Sequence, residues 1–386
     1  MQQLKRIPHP SGAEILFDAK WHQYKLGGTA LRSVSKLLDK YFPFDEKRVL
    51  QLVAKKTGQP VDVIKRGWSR QALLGRNVHE YIECRLLQKP PPTFMLLLQK
   101  KEKREAARPA DATGPTQITT SALEDEVLHG EERLYLPVAD AAVSTILSRY
   151  DLISCEQVIA SPTWGIAGTI DFMGRNKVTN KILIGDWKTS GSVTSNFRFG
   201  SFETPCPGCL RHLPNSKLYR YAMQVVIYGR ILAREEYFKR RFFDAQLQAA
   251  LSGATQERAL TSSPTAADDV LAKYQNMKGL KAKAGKQKAA PPSGTGSNGV
   301  GVASAAPLAP ATGMSSTEVN ELLDAQYHCD TIEDKFEYGI VQLAKGEDGG
   351  VVVEFKAVTP ATVLPPDSPE MSFEELLQRV MAGDGV

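Results

Sequence analysis

The sequence predicts an α/β fold in which a central mixed β-sheet of about four or five strands is flanked by helices. Three observations carry this. Between Leu152 and Trp187 apolar residues alternate at the period of two that half-buried strands require. On either side of that stretch they recur every three or four residues, which gives a helix one apolar stripe. Two further β-like runs, Tyr338 to Leu343 and Val351 to Phe355, lie near the end of the chain around Gly346 to Gly350.

Taken in order, residues 1–23 read as an N-terminal segment. Met1 to Ala13 carries Lys5 and Arg6, no acid and no apolar core of a secretory signal, a pattern compatible with mitochondrial import. A helical N-terminal elaboration is expected next: an entry helix starting at Ser33-Val34-Ser35 and continuing through Leu37 and Leu38, then helix from Glu46 to Leu87 with a break at Gly58-Gln59-Pro60. From Lys89 to Glu132 the periodicity lapses into a proline run and a charged stretch, so an insertion or loop is expected. A helix from about Val138 to Tyr150 precedes strands at Leu152 to Ile159, Ile166 to Met173 and Lys181 to Trp187. A long helix from about Ser216 to Phe238, capped by Asn215 or Ser216, closes a core spanning 24–250. Leu251 to Ser316 is rich in Ala, Gly, Ser, Pro and Lys, too poor in apolar surface to offset chain entropy, and is expected to be disordered. Residues 317–358 supply terminal strands that rejoin the sheet, and 359–386 form an acidic tail with a short amphipathic helix, Ser372 to Met381.

Composition narrows the function classes. An apolar fraction of 42% with 24% charged residues fits a soluble globular chain, and no run approaches a membrane span, so no membrane partner is expected. A net charge of +5 permits a nucleic-acid partner without demanding one. Basic residues gather between Arg198 and Arg241, where phosphate binding would fit. Five irregularly spaced cysteines argue against a disulfide framework and for a reducing, intracellular compartment. Cys206-Pro207-Gly208-Cys209 with His212 has no second cysteine pair, so two free thiols are expected there rather than a metal site.

The chemistry concentrates in Gly168-Thr169-Ile170-Asp171 and Asp186-Trp187-Lys188. Strand periodicity puts Asp186 and Lys188 on one face and Trp187 on the other. A turn near Val178 and Thr179 would set Asp171 opposite Asp186. Adjacent carboxylates repel and call for a cation, and hard oxygen donors select Mg²⁺ or Mn²⁺, with Lys188 stabilising charge at a scissile phosphate. The alternative is a solvated hairpin with scattered charges. Gln224 and Tyr228, four residues apart, share a helix face, either to bind phosphate and stack on a base or simply to pack. Arg220, Arg230 and Arg234 make a basic ridge that follows a nucleic-acid backbone, or a solvated helix face.

Three of these segments, in this order, resemble the PD-(D/E)XK nuclease superfamily. Gly168 to Asp171 with Asp186-Trp187-Lys188-Thr189 resembles its core. Gly75 to Glu83, with His79, is similar to the upstream helix of its RecB-like branch, and Gln224 to Tyr228 to the QxxxY motif of that branch. Within the branch the likeness extends to mitochondrial genome-maintenance exonucleases and related phage nucleases. The resemblance covers Tyr24 to Phe243 and implies a restriction-endonuclease-like core. It further implies a catalytic set of Asp171, Asp186, Lys188 and Glu156, and a metal, Mg²⁺ or Mn²⁺, held by His79, Asp171 and Asp186, with Glu83 orienting His79. A packed histidine and an edge-strand surface glutamate are the other readings of His79 and Glu156. The implied substrate-side residues are Gln224, Tyr228, Arg220 and Arg230, and the implied partner is nucleic acid, single-stranded DNA. The implied activity is a deoxyribonuclease, an exonuclease on single-stranded ends in DNA replication, repair or genome maintenance. A catalytically inactive nucleic-acid-binding scaffold and a structure-specific endonuclease are the competing expectations.

Overall fold

The computed structural model describes residues 4–106, 127–190, 204–251, 315–346, 349–368 and 370–385. The chain opens with a four-strand antiparallel meander in place of the expected helical elaboration: β1 (Leu4–Pro8), β2 (Glu14–Asp18), β3 (Gln23–Leu26) and β4 (Thr29–Ser33). Each strand has only four or five residues, too few to display a period of two. The legible signal is Gly27-Gly28, whose φ angles of 55° and 83° make the two-residue turn that a hairpin favours. Ile15, Phe17, Tyr24, Leu26 and Leu31 form the meander's buried face.

Ser33 then caps α1 (Val34–Leu38), its side chain accepting from Lys36 N. Helices α2 (Glu46–Thr57) and α3 (Val61–Leu86) are separated at Gly58-Gln59-Pro60, with Gly58 in the left-handed conformation that ends α2. The segment expected as a loop contains α4 (Thr93–Ala106), which buries Phe94, Met95 and Leu98; residues 107–126 lie outside the described ones. Helix α5 (Glu132–Arg149) begins before the expected Val138 and keeps Pro137 inside it, burying Tyr135 and Leu136. Strands β5 (Tyr150–Ser161), β6 (Ile166–Asn176) and β7 (Ile182–Ser190) follow, and Asn176 Oδ1 accepts from Val178 N and Thr179 N in the β6–β7 turn. Ser216 caps α6 (Lys217–Arg234), which leads to α7 (Asp244–Leu251). The stretch expected to be disordered falls almost wholly at 252–314, outside the described residues. A capping box between Ser315 and Glu318 starts α8 (Ser316–Gln326), followed by β8 (Phe336–Lys345), β9 (Val351–Val358) and α9 (Phe373–Ala382).

All nine strands belong to one open mixed sheet, ordered β1-β2-β3-β4-β6-β7-β8-β9, with β5 on the other edge of β6. The β4–β6 and β7–β8 pairs are parallel and the rest antiparallel. One core cluster joins α1, α6, α7, α8 and α9 to the sheet, and a second joins α3, α4 and α5 to it. The sheet is thus larger than expected, because the meander extends one side while β8 and β9 extend the other. The acidic C-terminal stretch folds back as core: α9 buries Phe373, Leu376, Leu377 and Val380, and Tyr41 OH donates to Val380 O at 2.9 Å. No helix among the described residues is long and apolar enough to cross a membrane.

The sheet forks at its centre. Ladder pairing of β6 with β7 runs from Arg175↔Ile182 to Phe172↔Gly185 and stops, while β4 pairs with β6 only at Ile166 and Ala167. Residues 168–171 therefore face an opening on that side. At the same level the side-chain alternation slips by one. Ile170 joins the α6-side core, yet Phe172, two residues on, joins the α3-side core, and Met173 returns to the α6 side. Strict period two would put Ile170 and Phe172 on one face.

Candidate active site

Three acids occupy the slipped level on adjacent strands. Asp171 and Asp186 are the next residues beyond Phe172↔Gly185, the last pair of the β6–β7 ladder. The β5–β6 register sets Glu156 opposite Asp171, between the pairs Cys155↔Phe172 and Gln157↔Ile170. Glu156 itself has φ of +52°, the left-handed region that a side chain rarely adopts, at a cost of roughly 1–2 kcal/mol. Asp171 Oδ2 accepts the Trp187 N–H at 2.7 Å, taking a donor that the interrupted ladder leaves free. Glycines allow the close approach: a Cβ on Gly185 would lie 2.1 Å from Phe172 Cζ, and one on Gly75 would lie 2.9 Å from Thr189 Oγ1, where α3 meets β7.

Helix α3 brings His79 to this level, with Nδ1 3.8 Å from Asp171 Oδ2. His79, Glu156 and Asp171 offer ligand atoms that all lie within 4.8 Å of one another, and among the described residues no other such group of three is present. On β7, Lys188 Nζ is 2.6 Å from Asp186 Oδ2 and 4.8 Å from the centre of the Tyr221 ring on α6. Asp186 is 1% exposed, and its Oδ1 has no hydrogen-bond partner among the described residues.

The electrostatics follow from three carboxylates around one buried ammonium. Burial and then the Asp171 and Glu83 charges push Glu156 up to about 8, although solvent reaches it through the cleft mouth. Burial, only partly offset by Lys188, raises Asp186 to about 6 and also raises Asp171. Burial alone would lower Lys188, but Asp186 and Asp171 outweigh it and hold the ammonium well above its ordinary range. Burial and the Lys188 charge lower His79 to about 4, so its imidazole is neutral at physiological pH, the form that ligates metals. An orphaned buried carboxylate oxygen, acids that take up protons and a neutral imidazole together fit a hard or borderline divalent cation such as Mg²⁺ or Mn²⁺.

The other site candidates divide. Gln224 lines the cleft and donates from Nε2 to Tyr228 OH at 3.0 Å. Tyr228 is 4% exposed with its ring against Gly168, where a Cβ would sit 2.4 Å from Cε1. It forms the cleft floor, and the expected stacking on a base is corrected by this burial. The arginines of the basic ridge on α6 are ion-paired. Arg220 pairs with Asp39 at 2.6 Å, Arg230 with Glu333 and Glu374, and Arg234 with Glu374 at 3.2 Å, so these arginines tie α6 to neighbouring segments. Glu83 faces the cleft but pairs with Lys89 at 2.8 Å and is not recorded on His79. Cys206 and Cys209 are free thiols raised by burial, Cys206 to about 12, and His212 Nε2 bonds Val363 O at 2.9 Å. Sequence reasoning missed Tyr221, whose signal is its place one turn before Gln224, and the cleft wall formed by Phe17, His22 and Tyr24.

Comparison with protein-family models, with curated proteins and with solved structures gives no match for this chain.

Proposed function

We propose that the chain is a metal-dependent nuclease with a restriction-endonuclease-like core of the PD-(D/E)XK type, and that it hydrolyses DNA as an exonuclease on single-stranded ends. The observation that carries this reading is the level Glu156, Asp171, Asp186 at the fork of the sheet, with His79 and Lys188 aimed at it. His79, Glu156, Asp171 and Asp186 would hold the ion. A bound Mg²⁺ or Mn²⁺ supplies positive charge that polarises a phosphodiester and offsets the anion formed in its hydrolysis.

The chain's own residues do the rest. Lys188, kept protonated by Asp186 and Asp171, presents a fixed ammonium to the charge that develops on the scissile phosphate, and the Tyr221 ring limits where that ammonium can go. The Trp187 N–H fixes one oxygen of Asp171, leaving the other to turn toward the cleft. Gln224, held by Tyr228, keeps an amide at the cleft wall within reach of a substrate phosphate.

End-labelled single-stranded DNA incubated with Mg²⁺ or Mn²⁺ tests the reading. The wild type should shorten it, Asp186→Ala and Lys188→Ala should each lose at least about 100-fold in rate, and a chelator should stop the reaction. Undiminished activity in either variant removes the site assignment, and cleavage of circular single strands replaces the exonuclease with an endonuclease.

A further inference from the structure

The α6 arginines are each paired with a carboxylate, whereas other cations beside the cleft are not. Within the meander and α1, Lys5, Lys20, Lys25, Arg32 and Lys36 form no ion pair among the described residues, while Arg6 is paired with Glu14. The one other acid there, Asp18, accepts from the backbone of Lys20 and Trp21. Across the cleft, Arg76 on α3 is exposed, lines the opening and likewise has no carboxylate partner among the described residues.

The wall between these cations is aromatic. Phe17 stacks on Tyr24 with centroids 4.9 Å apart and planes at 13°, and His22 meets Phe17 edge-on at 5.9 Å. Both Phe17 and His22 line the cleft of about 530 Å³ that leads to Asp171. His22 is exposed and held at φ of +46°, beside Trp21, which is 56% exposed with Lys20 Nζ 5.1 Å from its ring centre. Lys5 is opposite Phe17 in the β1–β2 register, so it shares that face, and its charge reaches Glu156.

From this geometry we infer that the β1–β3 meander and the Arg76 lip of α3 form a docking track for single-stranded DNA that leads into the cleft. Phosphates meet Lys5 and Arg76, and bases stack on His22 and Trp21. A single strand fits because its base faces are free to stack, whereas a duplex keeps them covered by neighbouring bases. The assignment of DNA rests on the nuclease reading, while the track itself does not depend on turnover.

The test uses the full chain in EDTA, so that nothing is cleaved, with fluorescein-labelled oligothymidylate followed by anisotropy. Lys5→Glu and Arg76→Glu lie on separate elements, and each should weaken binding at least about fivefold and reduce the salt slope by about one. His22→Ala with Trp21→Ala should weaken binding by a similar factor and leave the salt slope unchanged. All these variants should melt with the wild type. Binding within twofold of wild type in both charge reversals overturns the track, as does a preference for duplex over oligothymidylate. Oligouridylate bound about tenfold more tightly than oligothymidylate overturns the DNA assignment. If oligothymidylate binds through these residues but is not degraded with Mg²⁺ or Mn²⁺, the track stands and the nuclease reading falls.

Discussion

Glu156 is the residue where conformation and charge are both unfavourable in the metal-free chain. Its left-handed backbone costs roughly 1–2 kcal/mol, and glycine would remove that cost while adding about 0.5–1 kcal/mol of unfolded-state entropy. Glu156→Gly should therefore match the wild type in chemical denaturation or exceed it by up to about 1 kcal/mol, yet lose most of its metal-dependent activity. A loss of more than about 1 kcal/mol would show that the conformation carries no strain. The charge gives a second expectation. Glu156 rises from 4.5 to about 8 on folding, so the folded chain binds the extra proton, and stability is lost as pH climbs through that window. Asp186, raised from 3.8 to about 6, acts in the same sense, whereas His79, lowered from 6.5 to about 4, stabilises as pH rises from 4 to 6.5. Above 6.5 the His79 effect is complete, and the raised acids, Glu156 and Asp171, both act to lower stability. Without metal the melting temperature should fall between pH 6.5 and 8, and Mn²⁺ should remove the fall; a metal-free rise over that range counts against the site. Asp171, Asp186 and Lys188 were legible because residue type and strand spacing suffice to name them, whereas His79 was named only through the family resemblance. The φ of Glu156 was not, since nothing in Cys155-Glu156-Gln157 marks a residue forced out of the ladder.

At the scale of elements, legibility followed length and capping. Helices α3 and α6 run for 26 and 18 residues, long enough for a stripe to declare itself, and Ser216 is the expected cap of α6. Strands β6 and β7 were legible because β-branched and apolar residues dominate both sides of a turn carrying Asn176 and Asn180. The meander was not, as its strands of four or five residues are too short to show a period of two. Helix α4 was hidden by Pro90-Pro91-Pro92, which ends one element but also permits the next to begin at Thr93. The roles of the α6 arginines were beyond a local reading, because their partners Asp39, Glu333 and Glu374 come from segments distant in sequence.

Over the whole molecule, the N-terminal meander and the C-terminal strands enclose the level of Glu156, Asp171 and Asp186. The meander lies on one side of it and β8 on the other, while α9 seals the core beneath α6. A chain ending at Val358 loses four buried large apolar side chains, Phe373, Leu376, Leu377 and Val380, worth roughly 6–12 kcal/mol at about 1.5–3 kcal/mol each. A domain's entire stability is about 5–15 kcal/mol. Such a chain should show no cooperative melt and should bind a hydrophobic dye, and a sharp thermal transition near that of the full chain would show that α9 is dispensable. β7, which carries Asp186 and Lys188, gains its outer neighbour only from β8, whose partner residues run to Ala344. At ~5–20 residues per second the ribosome needs roughly 8–30 s after completing β7 to deliver that neighbour. On the nuclease reading, the strand bearing the reactive groups gains its second neighbour only after that delay, so the site is assembled well after its own residues have been made.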